Sequence, residues 1–364
     1  MKINFIDLQA QYRKYQGEID EAIHAVLESS QYIMGKDVTQ LEAEMCAYTG
    51  AKHCISCSSG TDALLLALMA CDIKPGDEVI TTPFTFIATA EMIAFLGAVP
   101  VFVDIDETSY NIDPRLIEQK ITPKTRAIIP VALYGQPADM DEINAIASRH
   151  NLTVIEDAAQ SFGSEYKGKK SCNLSRIGCT SFFPSKPLGC YGDGGAVYTS
   201  DDELAGKLRQ LMNHGQGERY KHKYIGINGR LDSIQAAILR VKLKYFDEEV
   251  PVRAAVASRY NELLAGGEVV TPFVKPDRTS VYAQYSVRVK NRDALAKRLN
   301  EQGVPTAVHY PIPLYRQEAF AGLSYDAAEF PVAERVSSEI MSLPMSAFLT
   351  VEQQKYIAEA IHGK

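Results

Sequence analysis

Apolar and polar positions near the start of the chain repeat with the period of a helix. Tyr12, Tyr15, Ile19, Ile23, Val26 and Leu27 share one face, with Glu, Lys and Asp on the others. The pattern predicts an amphipathic helix over 11–28. The stretch Ser29-Ser30-Gln31-Tyr32-Ile33-Met34-Gly35 breaks it, and a second helix is expected over 38–48. Beyond a polar turn at Ser58-Ser59-Gly60-Thr61-Asp62, short apolar runs alternate with helical patterns: strands at 79–82, 99–103, 127–130 and 153–156, helices at 87–96, 114–120 and 140–150. Such alternation indicates a mostly parallel sheet with helices on both faces.

Helical patterns return at 204–212 and 233–245, separated by a loop at 214–229 rich in Gly, His, Tyr and Lys. Irregular segments of that length are usually functional or mobile. From about Phe246 a helix rich in charge and alanine leads to strands at 282–289 and 306–310, a helix at 294–302 and a closing helix at 351–361. The expected organisation is therefore α/β, with a large domain at 1–245 and a smaller C-terminal α+β domain at 246–364. No internal repeat or low-complexity linker separates them.

Composition adds exclusions. The chain has 364 residues, 46% hydrophobic and 23% charged, the profile of a globular protein with a sizeable core. Its net charge is −7, with no run of like charges and no basic tail, which argues against nucleic acid and against an anionic membrane surface. The N-terminal Met1-Lys2-Ile3-Asn4-Phe5-Ile6-Asp7 lacks the apolar core of a signal peptide, and no apolar stretch approaches the roughly 18 residues of a spanning helix. A soluble, cytoplasmic protein is expected. The seven cysteines are scattered through apolar segments as free thiols usually are. Cys54 and Cys57 have redox or zinc spacing but no second pair and no histidine set nearby, so no metal site is expected.

The chemistry centres on Lys186. It lies in an apolar, aromatic, glycine-rich run, Ser181-Phe182-Phe183-Pro184-Ser185-Lys186-Pro187-Leu188-Gly189-Cys190-Tyr191-Gly192-Asp193-Gly194-Gly195. Burial disfavours an ammonium, so a lysine here is either a neutral nucleophile able to form a Schiff base or a half-buried residue snorkelling its amine outward. The strand-like Val154-Ile155-Glu156-Asp157 shifts the balance, because ligands of open α/β sheets bind beyond the carboxyl ends of strands. A carboxylate there can hold a proton on a pyridine nitrogen, the partner that pyridoxal phosphate requires. The turn at Ser58–Asp62 is a plain N-cap or a phosphate cradle at a helix start, and Lys186 with Asp157 favours the cradle. The Gly192, Gly194, Gly195 run lacks dinucleotide-fingerprint spacing.

From Phe5-Ile6-Asp7-Leu8 to Leu343-Pro344-Met345 the chain resembles the DegT/DnrJ/EryC1/StrS sugar aminotransferases, fold-type I pyridoxal phosphate enzymes. The motifs stand in family order: Ser58-Ser59-Gly60-Thr61-Asp62-Ala63-Leu64, Glu156-Asp157-Ala158-Ala159-Gln160, Ser181-Phe182-Phe183-Pro184-Ser185-Lys186, and Gly226-Ile227-Asn228-Gly229-Arg230-Leu231-Asp232. The resemblance implies a seven-stranded sheet and pyridoxal 5'-phosphate as cofactor. It makes Lys186 the catalytic lysine, bonded to the cofactor and then moving the substrate's proton, and Asp157 the partner of the ring nitrogen. Ser181 with the Gly60 and Thr61 amides is implied for the phosphate, Phe86 for stacking on the ring and Gln160 for the ring hydroxyl or its flank. Phe86 as core, Ser181 as a strand-edge hydroxyl and Gln160 as a helix cap remain alternatives.

Asn228 is implied to reach the phosphate from the opposite subunit of a homodimer, so that the two active sites are shared. Arg230 has the guanidinium geometry for a carboxylate. His309 and Tyr310 are implied to line the sugar pocket, with a structural turn as the alternative. Within the family, the motifs around Lys186 and Pro305-Thr306-Ala307-Val308-His309-Tyr310-Pro311-Ile312-Pro313-Leu314 are most similar to those of enzymes that aminate the 3-keto carbon of a UDP-linked 2-acetamido-3-oxo-uronic acid with glutamate as donor. Such a product is a 2,3-diamino sugar nucleotide for surface polysaccharide such as O-antigen. The alternatives are another keto-sugar nucleotide, a sugar dehydratase, which carries histidine where Lys186 stands, and a non-catalytic regulator of the same fold.

Overall fold

The structure is a computed structural model that describes residues 2–363. In chain order it contains α1 (Leu8–Ser29), α2 (Lys36–Thr49), β1 (His53–Cys57), α3 (Gly60–Ala70), β2 (Glu78–Thr81), α4 (Ala88–Phe95), β3 (Val99–Phe102), β4 (Thr125–Ile128), α5 (Met140–His150) and β5 (Thr153–Asp157). There follow β6 (Glu165–Tyr166), β7 (Lys169–Lys170), β8 (Ile177–Ser181), β9 (Gly195–Thr199), α6 (Asp202–Leu211), β10 (Gln216–Glu218), β11 (Lys221–His222) and α7 (Ser233–Leu263). The last elements are β12 (Tyr285–Arg288), α8 (Arg292–Glu301), α9 (Pro331–Glu339), β13 (Ile340–Leu343) and α10 (Val351–His362).

Seven strands form the central sheet in the order β1-β9-β8-β5-β4-β2-β3. All its pairs from β8 to β3 are parallel, and β9 alone opposes its neighbours. Alternate side chains feed two cores, as strand pleating requires. Ile55, Ile129 and Val197 meet α3, α4 and α6 on one face. Cys54 and Tyr198 pack with Leu41 and Leu239 of α2 and α7 on the other, where Ile128 packs with Ile143 of α5. Cys54 and Cys57 thus lie in different cores on opposite faces of the sheet, and all seven cysteines are free.

The strand β12 pairs antiparallel with β13, and this ribbon buries Tyr285, Val287, Met341 and Leu343 against α8, α10 and the second half of α7. Several expected elements differ. The helices expected on either side of 245/246 are one, because α7 continues through Pro251 while Phe246, Val256, Ala257 and Tyr260 bury its inner face. Packing of that stripe outweighs the local proline penalty. The strand expected at 306–310 is reduced to a single bridge, Ala307 to Ser342, since Pro305, Pro311 and Pro313 supply no ladder donors. The helix expected at 114–120 is two short 3-10 turns, Pro114–Leu116 and Glu118–Lys120. Among the described residues no helix is long and apolar enough to cross a membrane.

Candidate active site

A cleft of about 350 Å³ opens beyond the carboxyl ends of the central strands. Its lining includes Gly60, Thr61, Phe86, Asp157, Gln160, Ser181, Lys186, His309 and Tyr310, so nine of the expected site residues converge on it. Asn228 and Arg230 do not line it.

Asp157 ends β5 and is held from both sides: its amide donates to Pro130 O and its carbonyl accepts from Ala132 N. Thr89 Oγ1 donates to Asp157 Oδ2 at 2.8 Å, and Ala159 N donates to Oδ1 at 3.2 Å. Burial raises the Asp157 carboxyl above the usual range, while those two hydrogen bonds and the charge of Lys186 pull it back. Lys186 responds in the opposite sense: burial lowers its ammonium and the charge of Asp157 partly restores it. The two form no direct ion pair among the described residues, which leaves room between them for a ligand of opposite demands.

The phosphate end is built by close packing. Ser59 caps α3, its Oγ accepting from Asp62 N at 3.0 Å, which leaves the Gly60 and Thr61 amides free at the positive end of the helix. A Cβ on Gly60 would stand 2.5 Å from Ser181 Cβ, and one on Gly195 would stand 2.4 Å from Ser59 O. Both glycines are therefore required for the start of α3 to meet the strands β8 and β9. Ser181 Oγ accepts from Phe183 N at 3.2 Å, leaving its proton to donate. Two free amides, a hydroxyl donor and a helix dipole fit a phosphate dianion. A carboxylate and a lysine with a depressed pKa fit a protonated pyridine ring and an aldehyde. These residues match pyridoxal phosphate.

Phe86 is 53% exposed at the cleft, with its ring 6.1 Å from that of Tyr310. This placement removes core packing as the account of Phe86. Gln160 is buried; its Oε1 accepts from Tyr134 N at 2.8 Å and its Nε2 donates to Tyr310 OH at 3.2 Å. The His309 ring bonds Ser342 Oγ through Nδ1 at 2.9 Å, and burial together with the Lys186 charge lowers its pKa, favouring neutral imidazole. Tyr134 OH donates to His309 O, so Gln160, Tyr134, His309 and Tyr310 form one wall.

Asn228 lies exposed in the segment between α6 and α7, bridged to Asn213. Arg230 Nη1 donates to Asn213 Oδ1 at 2.7 Å, whereas its buried Nε has no partner. The lining also includes residues to which the sequence assigns no role, Thr89, Gln284 and Asp193 among them. Thr89 is a lone buried hydroxyl in the apolar helix α4. Gln284 is a polar interruption of the run Val281 to Val287, with its Oε1 buried and unpartnered. Asp193 is an exposed acid among glycines. For Gln284 and Asp193 the signal is a polar residue in an apolar or glycine-rich setting, the same contrast that marks Lys186, whereas nothing local marks Thr89.

The profile of the DegT/DnrJ/EryC1/StrS aminotransferase family matches residues 13–362. The chain is 55% identical over 359 residues to UDP-2-acetamido-2-deoxy-3-oxo-D-glucuronate aminotransferase of Pseudomonas aeruginosa, covering 99% of each. It is 44% identical over 359 residues to UDP-N-acetyl-3-dehydro-alpha-D-glucosamine 3-aminotransferase of Acidithiobacillus ferrooxidans, covering 99% of this chain and 97% of the relative. In structure it is similar to Streptomyces venezuelae DesV in complex with a ketimine intermediate, with a TM-score of 0.97, 41% identity and coverage of 100% of this chain and 98% of that one.

Proposed function

Because this chain belongs to the DegT/DnrJ/EryC1/StrS aminotransferase family, we propose that it transfers an amino group from glutamate to the 3-keto carbon of a UDP-linked 2-acetamido-3-oxo-uronic acid. It is an aminotransferase, and its cofactor is pyridoxal 5'-phosphate. The observation that carries the residue assignment is the cleft itself, which joins Lys186, Asp157, Ser181 and the free amides of α3.

When bound, pyridoxal phosphate supplies an electron sink for the carbon that carries the amine. The protein supplies the rest. Gly60, Thr61 and Ser181 hold the phosphate, and the Asp157 carboxylate holds the protonated ring nitrogen. Unit charges about 4 Å apart interact by roughly 4 kcal/mol at an effective dielectric of 20, enough to keep a buried ring nitrogen charged. Phe86, exposed in the cleft, would stack on the ring, and Gln160, which donates to Tyr310 OH, would hold that tyrosine in the wall beside it. Lys186 Nζ, which burial biases toward the free base, takes a proton from the donor carbon and returns it on the acceptor side.

The shared homodimeric site is part of the same reading. Asn228 and Arg230 sit outside their own cleft, and Tyr32, Ile33, Met34 and Ile225 expose apolar surface beside them, as an interface does. There Arg230, with an unpaired Nε, is suited to the uronate carboxylate of a substrate in the partner's cleft, while His309 and Tyr310 are suited to the sugar ring of the substrate in their own cleft. Each chain works as a large unit, 1–245, and a small unit, 246–364, joined through the continuous α7. Free thiols agree with a reducing cytoplasm, and the product serves surface polysaccharide such as O-antigen.

The test supplies ¹⁵N-glutamate with 3-oxo and 4-oxo UDP- and dTDP-sugars and locates the isotope by mass spectrometry and NMR. Label at C3 of the UDP-3-oxo-uronate, at a rate well above the other sugars, is expected. Preferential labelling of a 4-oxo sugar would overturn the substrate assignment.

A further inference from the structure

Behind the cleft a cation is buried with no carboxylate partner. Lys242, on α7, is 3% exposed; its Nζ donates to Gly189 O at 2.7 Å and stands 4.2 Å from the centre of the Tyr191 ring. Among the described residues it forms no salt bridge. Burial pushes its ammonium down to about 8, with the charge of Glu249 opposing the shift. An unpaired cation in such a place is unfavourable, and a carbonyl dipole and an aromatic face are the partners it has.

Both partners belong to the loop that carries Lys186. The loop is closed on itself: Cys190 N donates to Phe182 O at 2.8 Å, Lys186 N to Phe183 O at 2.8 Å, and Phe182 N to Gly194 O at 2.7 Å. A Cβ on Gly189 would lie 2.5 Å from Pro184 O, so the outgoing and returning arms are in contact. The helix α7 grips the returning arm twice. Gln235 accepts from Tyr191 N at 2.8 Å and donates to Tyr191 O at 3.3 Å, and further along α7 Lys242 takes Gly189.

We propose that Lys242 is a positioning residue for the reaction: its amine anchors Gly189 and Tyr191 and thereby fixes where Lys186 presents its own amine in the cleft. The inference rests on the assignment of Lys186 as the reactive lysine. A cation that served only the fold would be replaceable by an apolar side chain of similar length without loss, since removal of buried charge is often neutral or favourable to stability. An anchor is not replaceable in that way, because the loop is released even where the fold gains.

The experiment compares wild type with Lys242→Met and Lys242→Gln, each with cofactor and stripped of it. In the stripped proteins, Cys190 reports on the loop, because its Sγ packs 3.0 Å from Phe182 O and 3.1 Å from Gly192 O. Thiol labelling mapped by mass spectrometry should be about tenfold faster at Cys190 in Lys242→Met, the effect of losing one charged hydrogen bond, while buried Cys54 and Cys172 label as in wild type. In the loaded protein kcat should fall about tenfold with little change in KM for glutamate, and the apparent pKa of the cofactor's visible absorbance should move. Lys242→Gln keeps a donor and should recover part of each effect. Unchanged Cys190 labelling, or faster labelling with wild-type turnover, overturns the proposal; so does failure of both variants to fold, which would assign Lys242 to the fold alone. Borohydride reduction, which fixes the cofactor on its lysine, tests the Lys186 assignment separately.

Discussion

Thr89 Oγ1 donates to Asp157 Oδ2 at 2.8 Å, so the hydroxyl of one helix sets the orientation of a carboxylate delivered by a strand. The pair is buried, and the bond also counters the burial that would otherwise drive Asp157 toward its neutral form. Thr89→Val keeps the shape and removes the donor. Turnover should fall about tenfold, the scale of one hydrogen bond to a charged group. Asp157→Asn should lose on the order of 10²-fold or more while still folding. Steady-state kinetics of both single variants and the double variant check this; Thr89→Val should add little once Asp157 is already Asn, and full additivity would show that Thr89 acts elsewhere.

Lys186 is expected to carry the cofactor. Purified protein should absorb in the visible, and borohydride should fix the cofactor on the peptide containing Lys186. Lys186→Ala should remain folded, lose that absorbance shift and lose turnover to background. Label recovered on any other lysine would remove the assignment.

Lys186 and Asp157 were legible in the sequence for a physical reason: a charge set in an apolar or glycine-rich run is costly unless the site uses it. The central strands were legible because burial on both faces produces short apolar runs. Thr89 was not legible, since its partner is 68 positions away and nothing local distinguishes it from a satisfied core hydroxyl. The continuity of α7 through Pro251 and the loss of the strand at 306–310 depend on what packs against each segment. The same limit applied to Lys242, whose burial against the Lys186 loop arises only when α7 is folded onto it.

Glu156, beside Asp157 but facing away into the fold, gives a pH signature. It is 1% exposed and accepts from Ser171 Oγ at 2.6 Å and Cys172 N at 3.0 Å. Burial raises it from the ordinary 4.5 to about 7, against the pull of those hydrogen bonds. A carboxyl raised by folding binds its proton more tightly in the native state, so its contribution to stability is full below 4.5 and is lost as pH rises through 7. The size is on the order of 3 kcal/mol. Glu156→Gln cannot titrate, so urea unfolding at pH 5 and pH 8 should show wild type losing that much more than the variant. An equal difference between the two proteins at both pH values would show that Glu156 does not titrate there.

Arg230 joins the substrate question to the assembly question. Its guanidinium is half-buried, tied at one end to Asn213 and unpaired at Nε, and it lies outside the cleft of its own chain beside exposed Asn228. If it grips the uronate carboxylate of a substrate in the opposite subunit, its removal strands a charged group in a partly dry pocket, at a cost of roughly 2–5 kcal/mol. Arg230→Ala should then lose far more activity on the 3-oxo-uronate than on a matching sugar with a neutral C6. Because Lys186 and Arg230 of one chain would serve different clefts, mixing Lys186→Ala with Arg230→Ala protein should assemble some hybrid dimers in which one cleft has both residues intact. Activity of the exchanged mixture above that of either variant alone is the expected result. Equal losses on charged and neutral sugars would remove the carboxylate clamp, and a mixture no more active than its parents, with subunit exchange demonstrated, would remove the shared site.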